Sequence, residues 1–210
     1  MKHDLEAEEL RRQGRELGAR LSAEQLERLL RFEVALVQHA LPLGLIAEGD
    51  ARNIRRRHTL DSLRAVPAME EATDAYDLGS GAGLPGVVLA IACPDVRFGL
   101  VDSRRKRISF LEFAVEMLGL PNAVPIGARA EAIREPVDVC LARAFAPLPR
   151  AWEISEPLLR PDGRLIYFAG REGAGVGAGR PPPAVGARLL RVLGTSVLES
   201  AGPLVIMTRQ

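Results

Sequence analysis

The chain has 210 residues, of which 47% are hydrophobic and 26% charged, a balance typical of a globular protein with a sizeable core. Its 28 basic and 27 acidic residues leave a formal net charge of +1, so any affinity for nucleic acid must come from local clusters. No apolar run approaches the roughly 20 residues of a membrane span. Neither the two cysteines nor the three histidines are grouped like metal ligands. We therefore expect a cytoplasmic protein with no membrane partner and no metal.

The first 70 residues are predicted to be helical. Residues 4–20 are charged and helix-prone. The stretch "SAEQ", Ser22–Gln25, is typical of a capping box at the start of an amphipathic helix over 23–40. The segment "RNIRRRHTLDSLRAV" predicts a third helix. We expect residues 1–70 to form a helical arm that packs on the main domain.

Residues 71–210 alternate between strand-like and helix-like runs. Strands are predicted at 75–78, 96–101, 122–126, 137–142 and 164–169, and two more near 187–198 and at 203–208. Helices are predicted at 85–92, 104–119 and 150–159, with Ser103 as a cap for the second, and the Gly- and Pro-rich 170–183 is predicted to be a loop. This βαβα order indicates an α/β, Rossmann-like domain with a parallel sheet and helices on both faces.

The stretch "YDLGSGAGLPG" follows the first strand, where such folds bind ligands. Glycines let the backbone turn sharply and approach a ligand closely. One interpretation is a dinucleotide site, because Gly81, Gly83 and Gly86 fit the G-x-G-x-x-G pattern. Glycines that serve only a tight turn are a second interpretation.

The third interpretation is the first motif of class I S-adenosylmethionine (SAM) methyltransferases, written Asp77-x-Gly79-x-Gly81-x-Gly83. Asp77 suits the ammonium of SAM, whereas a carboxylate there is unfavourable beside a pyrophosphate. Asp102 ends the second strand, where it can accept both hydroxyls of a ribose. We favour SAM on these grounds.

Three blocks carry a family resemblance: "RRHTLDSL", "DLGSGAGLPGVVLAIACPDVRFGLVDSRRKRISFL" and "LARAFAPL". In this order and spacing the chain resembles, from about Arg52 to Gly170, the bacterial 16S rRNA guanine-N7 methyltransferases, RsmG/GidB (glucose-inhibited division protein B). The resemblance implies a class I SAM-methyltransferase fold. It also implies methyl transfer from SAM to N7 of one guanine, position 527 of 16S rRNA, in the free RNA or the small ribosomal subunit.

The resemblance also implies a set of site residues. The candidate cofactor-binding residues are Asp77, Gly79, Gly81, Gly83, Leu84, Asp102, Ser103, Ala130, Glu131 and Arg143. Arg143 is the candidate catalytic residue, and we expect it to position the cofactor or the RNA. It need not act as an acid or base, because N7 of guanine has a free lone pair and no proton to lose.

Two arginine-rich stretches are candidates for RNA contact, since the planar guanidinium suits phosphate. The candidate RNA-binding residues are Arg55, Arg56, Arg57, His58, Arg104 and Arg105. A solvated surface is the alternative. The chain lacks the family's W-N…N-L-T stretch and has Ala169-Gly170 where Lys-Gly is usual. Three alternatives therefore remain: a methyltransferase that acts on another RNA, one that acts on a small molecule, and a non-catalytic module that binds SAM or a nucleotide.

Overall fold

The computed structural model describes residues 2–170, 186–193, 198 and 201–210. In this part of the chain, strands form one sheet. They are β1 Asp74–Leu78, β2 Arg97–Asp102, β3 Ala123–Gly127, β4 Val137–Arg143, β5 Leu159–Phe168, β6 Ala187–Leu193 and β7 Leu204–Arg209. Their order is β3-β2-β1-β4-β5-β7-β6. The α/β class predicted from the sequence is confirmed.

The sheet is mixed, which corrects the expectation of a parallel sheet. Strands β1 to β5 run parallel to their neighbours, whereas β7 is antiparallel to both β5 and β6. Only residues 194–203 separate β6 from β7. A parallel crossover needs a dozen or more residues, so this shorter connection returns the chain antiparallel.

The helices cover both faces of the sheet. They are α1 Lys2–Glu16, α2 Ala23–Ala35, α3 Leu60–Leu63, α4 Gly86–Ala92, α5 Arg105–Leu118 and α6 Leu148–Ser155. One apolar cluster joins α4 and α5 to the arm helices, and the second packs α6 on the opposite face. α6 begins and ends earlier than the predicted 150–159, because Pro147 precedes its first turn and a 3-10 turn follows it.

The arm is helical but less regular than predicted. Ser22 Oγ accepts from the Gln25 amide at 3.2 Å and Gln25 Oε1 accepts from the Ser22 amide at 2.8 Å, so the capping box is confirmed. α1 is shorter than predicted, because Gly18 takes a left-handed backbone with φ of 83° just beyond it. The predicted third helix is a 3-10 turn, Glu48–Asn53, a π turn, Arg55–Thr59, and the short α3.

The arm and the sheet share a hydrophobic core. Leu29 of α2, Leu63 of α3, Val88 of α4 and Leu100 of β2 are all fully buried within one cluster. The Gln25 side chain also donates to the carbonyls of Ile91 and Ala92 at 2.9 and 3.2 Å, at the end of α4. The arm is thus attached to the helix that follows the glycine-rich stretch.

A cluster of charges holds the amino-terminal ends of β1, β4 and β5 together. Arg160 Nη1 donates to Asp74 Oδ1 and to Asp138 Oδ1, both at 2.6 Å. The amide and hydroxyl of Thr73 each donate to Asp138 Oδ2 at 2.8 Å. This cluster lies at the end of the sheet opposite the glycine-rich stretch.

Some predicted elements extend beyond the described residues. The predicted loop 170–183 lies almost wholly outside them, and the strand predicted near 187–198 is described only as β6. Every helix within them is too short or too polar to cross a lipid bilayer.

Candidate active site

The glycine-rich loop leaves β1 at Leu78 and turns at three glycines. Gly79, Gly81 and Gly83 have φ of 70°, 60° and 81°, a left-handed backbone that other residues rarely adopt. The Ser80 amide donates to Val101 O of β2 at 2.9 Å and fixes the loop over the carboxyl ends of β1 and β2. A Cβ added at Gly81 would have only Gly79 O near it, at 3.7 Å, so the space there is open to a ligand.

Asp77 is the buried residue that shapes this loop. Its Oδ2 accepts from Ser80 Oγ at 2.6 Å and from the Gly86 amide at 2.9 Å. Burial raises the pKa of Asp77 to about 6, although these two hydrogen bonds oppose the shift. Asp77 therefore joins the loop to the first turn of α4. This helix begins at Gly86, one residue later than predicted, with Pro85 at its cap position.

Gly86 matters for a reason that the sequence interpretation missed. A Cβ at Gly86 would lie 2.6 Å from Asp77 Oδ2 and 2.5 Å from Leu100 Cδ2. Only glycine lets α4 approach β1 and β2 this closely. Its place in the G-x-G-x-x-G pattern was the available signal, because the third glycine of that pattern serves helix–strand packing.

Asp102 connects the glycine-rich loop to the start of α5. Its Oδ2 accepts from the Gly81 amide at 3.1 Å and from Arg107 Nη1 at 3.0 Å, and its Oδ1 accepts from the Arg104 amide at 2.9 Å. Arg107 was not among the predicted site residues, although it belongs to the same "RRKR" stretch. The expectation that Ser103 caps α5 is wrong: Arg104 occupies the cap position, without a side-chain hydrogen bond.

Arg143, the last residue of β4, lies at the centre of a buried polar network. Its Nη2 donates to Arg57 O at 2.6 Å and lies 3.0 Å from His58 Nδ1. The same nitrogen is 3.6 Å from Asp61 Oδ2. Its Nη1 is buried and makes no hydrogen bond within the described part of the chain. Burial lowers the pKa of Arg143, while Asp61 and Asp77 raise it, and an arginine remains charged at neutral pH.

Strain and close packing mark the residues after Arg143. Ala144 has a left-handed backbone with φ of 49°, a costly conformation that clusters at functional sites. Phe145 then packs on the glycine-rich loop: its Cδ2 lies 2.6 Å from where a Cβ of Gly79 would be. Tyr167 Oη donates to Ala146 O at 3.1 Å and holds this segment to β5.

The remaining predicted cofactor residues lie at the same carboxyl edge of the sheet. Leu84 is half-buried in the glycine-rich loop. Ala130 and Glu131 lie in a 3-10 turn that follows β3, with Ala130 buried and Glu131 exposed. Glu131 is paired with Arg150 at 3.0 Å. Ser103 is exposed at the end of β2.

The predicted RNA-binding residues divide into two groups. Arg56, Arg104 and Arg105 are exposed. The others are engaged within the arm: Arg55 pairs with Glu33 at 2.8 Å, Arg57 pairs with Asp50 at 2.9 Å, and His58 is buried, with 6% of its surface exposed. Arg57 keeps an exposed side chain despite its pairing. The buried His58 ring therefore lies against Arg143 and is not exposed for contact with RNA.

A cavity among the described residues lies apart from this site. A cavity of about 670 Å³ lies between α2, the turns near Ala51 and Ile54, and Met117, and Arg55 is the one predicted site residue that lines it. No group of three His, Cys, Asp or Glu residues in the described ranges could hold a metal ion. The candidate site at the carboxyl edge of β1, β2 and β4 contributes no residue to that cavity.

Comparisons with solved structures show the fold. The chain superposes on a MtNAS variant in complex with S-adenosylmethionine with a TM-score of 0.60 and 18% identity, covering 85% of this chain and 72% of that one. It also superposes on the ribosomal protein L11 methylase of Lactobacillus delbrueckii subsp. bulgaricus with a TM-score of 0.55 and 12% identity, covering 73% and 79%. Both share the fold described above.

Comparisons of sequence show the family. The ribosomal RNA small subunit methyltransferase G of Methylococcus capsulatus is 41% identical over 182 residues, covering 85% of this chain and 88% of the relative. The protein of the same name from Polaromonas naphthalenivorans is 36% identical over 167 residues, covering 75% and 76%. A family model described as GidB, rRNA small subunit methyltransferase G, matches residues 25–174. The resemblance carried by the three sequence blocks is confirmed, and this chain belongs to the GidB family of rRNA small subunit methyltransferases.

Proposed function

We propose that this chain transfers the methyl group of SAM to N7 of a guanine in 16S rRNA, at the position that corresponds to 527. The observation that carries the proposal is the continuous hydrogen-bonded edge formed by Asp77, the glycine-rich loop and Asp102. Arg143 lies beside this edge. Family membership supports rRNA of the small subunit as the substrate.

The residues at this edge fit SAM. The open space at Gly81 admits a ligand against the loop backbone. Asp102 offers about four lone-pair sites, and the loop, α5 and Arg107 use three of them. A ribose hydroxyl can take the remaining one. Ala130 and Glu131 would flank the adenine, and the unpartnered Nη1 of Arg143 would take the carboxylate of the methionine moiety.

The chemistry asks little of the side chains. Bound SAM supplies an electrophilic methyl group: the bond from guanine N7 to that carbon forms as the carbon–sulfur bond breaks, and the sulfonium charge passes to the purine. N7 carries no proton, so no residue needs to act as a general base. The protein must align N7, the methyl carbon and the sulfur, and this alignment can lower the activation free energy by several kcal/mol. Asp61, which lies 3.6 Å from Arg143 Nη2, and Asp77, beside the glycine-rich loop, would favour the cationic product electrostatically.

The exposed arginines are proposed to hold the RNA. Arg56 and Arg57 lie on the arm beside Arg143, and Arg104 and Arg105 lie at the start of α5 beside Asp102. They therefore flank the proposed site on two sides. The small ribosomal subunit, or 16S rRNA before its assembly is complete, would be the partner in the cytoplasm.

The direct test of the proposal is methyl transfer from radiolabelled SAM to small subunits from a strain that lacks this enzyme. We expect label in 16S rRNA and an N7-methylguanine at one site. Label at another RNA position would indicate a different target. No transfer to RNA, with SAM bound normally, would favour a small-molecule substrate or a non-catalytic SAM-binding module. Binding of NAD without SAM would refute the proposal altogether.

A second test concerns the arginines. Each phosphate contact on single-stranded RNA contributes about 0.7 to the slope of log affinity against log salt. Changing Arg56, Arg104 and Arg105 together to alanine should flatten that slope by about two units and leave SAM affinity unchanged. The control variant replaces three exposed arginines: Arg15 at the end of α1, Arg20 between α1 and α2, and Arg97 at the start of β2. Equal slopes for both triple variants would assign the first set to solvated surface.

A further inference from the structure

We infer that Asp50 and His58 are positioning residues for Arg143: Asp50 holds His58 in one tautomer, and His58 holds one nitrogen of Arg143. The other nitrogen, Nη1, is thereby presented to the cofactor. This inference deepens the proposed function and rests on it, since it assumes that Arg143 binds SAM. Asp50 and His58 both belong to the arm: His58 lies against Arg143, and Asp50 lies against His58.

The geometry links the three side chains in a row. His58 Nδ1 lies 3.0 Å from Arg143 Nη2, and His58 Nε2 lies 3.3 Å from Asp50 Oδ2. The ring N–H is not aligned for a hydrogen bond to Asp50, so the carboxylate acts on the dipole of the neutral ring. Asp50 and His58 are both buried, at 8% and 6% exposed.

The protonation of His58 follows from its neighbours. An Arg143 N–H can only donate, so Nδ1 must present its lone pair. The proton of a neutral ring then belongs on Nε2, where the Asp50 carboxylate favours an N–H over a lone pair. Burial and the positive charge of Arg143 lower the pKa of His58 to about 4, although Asp50 opposes the shift. Arg57 lowers this pKa further and Asp61 raises it, so the ring is neutral at neutral pH.

Arg143 has a competing partner, which is why its orientation needs support. Asp61 Oδ2 lies 3.6 Å from Nη2, and the same carboxylate also pairs with Arg64. Without His58, only the Arg57 carbonyl would hold Nη2 against the attraction of the Asp61 carboxylate. A buried donor without a partner, such as Nη1, is rare and points to an absent acceptor. The His58 contact keeps that donor in place.

The test is a set of SAM dissociation constants measured by calorimetry. His58→Leu removes the acceptor and should weaken SAM by about 10-fold. His58→Asn, whose amide oxygen lies near the place of Nδ1, should stay within about 3-fold of wild type. Asp50→Asn should weaken SAM by about 3-fold. The KM for RNA should change less than about twofold in each. Arg160→Met, which breaks the charge cluster at the opposite end of the sheet, should leave SAM affinity unchanged.

A double-mutant cycle separates positioning from general destabilisation. In an Arg143→Ala background, His58→Leu should have no further effect on SAM affinity, because contacting residues are not additive. Additive losses would overturn the inference. So would wild-type affinity in His58→Leu when Arg143→Ala weakens SAM, an outcome that leaves the proposed function intact. An Arg143→Ala variant with wild-type affinity would remove Arg143 from the cofactor site and overturn the inference, whereas the proposed function is decided separately by the methyl-transfer assay. If His58→Leu does not fold, His58→Asn and Asp50→Asn decide: wild-type affinity in Asp50→Asn, or a loss of about 10-fold in His58→Asn, would overturn the inference.

Discussion

Replacing Gly81 with alanine tests whether the open space at the glycine-rich loop is the cofactor site. Its φ of 60° makes any L-residue costly there, by about 1–2 kcal/mol. The added methyl itself meets nothing closer than Gly79 O at 3.7 Å, so the fold has room for it. Gly119 at the end of α5 offers a matched control: it has the same φ of 60° and nothing within 4 Å of its added Cβ.

Both variants should therefore lose similar stability, and only one should lose the ligand. For a chain of this size, the backbone cost predicts a fall in Tm of about 2–8 °C in each. We expect Gly81→Ala to weaken SAM by about 100-fold or more, since a methyl would occupy the path of the ligand, and Gly119→Ala to bind as wild type does. Calorimetry and thermal unfolding measure the two quantities. Equal SAM affinity in the two variants would refute the placement of the cofactor at Gly81.

Two further predictions concern the carboxylates at the two ends of the sheet. Asp102→Ala should weaken SAM by about 10- to 150-fold, the equivalent of a charged hydrogen bond worth 1.5–3 kcal/mol, and an unchanged calorimetric dissociation constant would exclude Asp102 from the site. At the other end, burial raises the pKa of Asp138, but hydrogen bonds from Thr73 and Arg160 have the larger combined effect and lower this pKa to about 2. Because this pKa is lower in the folded state, the stabilisation is complete above about pH 4 and is lost as the pH falls through 2. Urea unfolding should show Asp138→Asn less stable than wild type by at most about 1 kcal/mol at pH 6, and a gap that does not shrink below pH 4 would contradict this.

The sequence was sufficient to predict the main features of the sheet and the loop. Alternating strand-like and helix-like runs predicted the α/β class. The capping box at Ser22 could also be predicted, because its hydrogen bonds form between residues three apart. The antiparallel direction of β7 follows from the short connection after β6, which the expectation of a parallel sheet did not take into account.

The roles of particular polar residues were harder to predict, because they depend on long-range contacts. Asp50 carries no sequence signal that would associate it with Arg143, 93 positions further on; only the fold brings the arm turn against the end of β4. His58 could be recognised as part of a motif, but its burial could not, since the π turn that carries it is irregular. Arg107 and Arg104 look alike in sequence, and only α5 decides which side chain turns to Asp102.

The charge cluster of Arg160, Asp74 and Asp138 has a consequence for how this protein can vary. It holds the strands at their amino ends, roughly 17 Å along a five-residue strand from the loop that follows β1. Effects of substitutions this far apart, with no shared partner, add independently. A stabilising change near Arg160 can therefore compensate for a costly change at the carboxyl edge, which leaves that edge free to diverge toward new substrates while the fold persists.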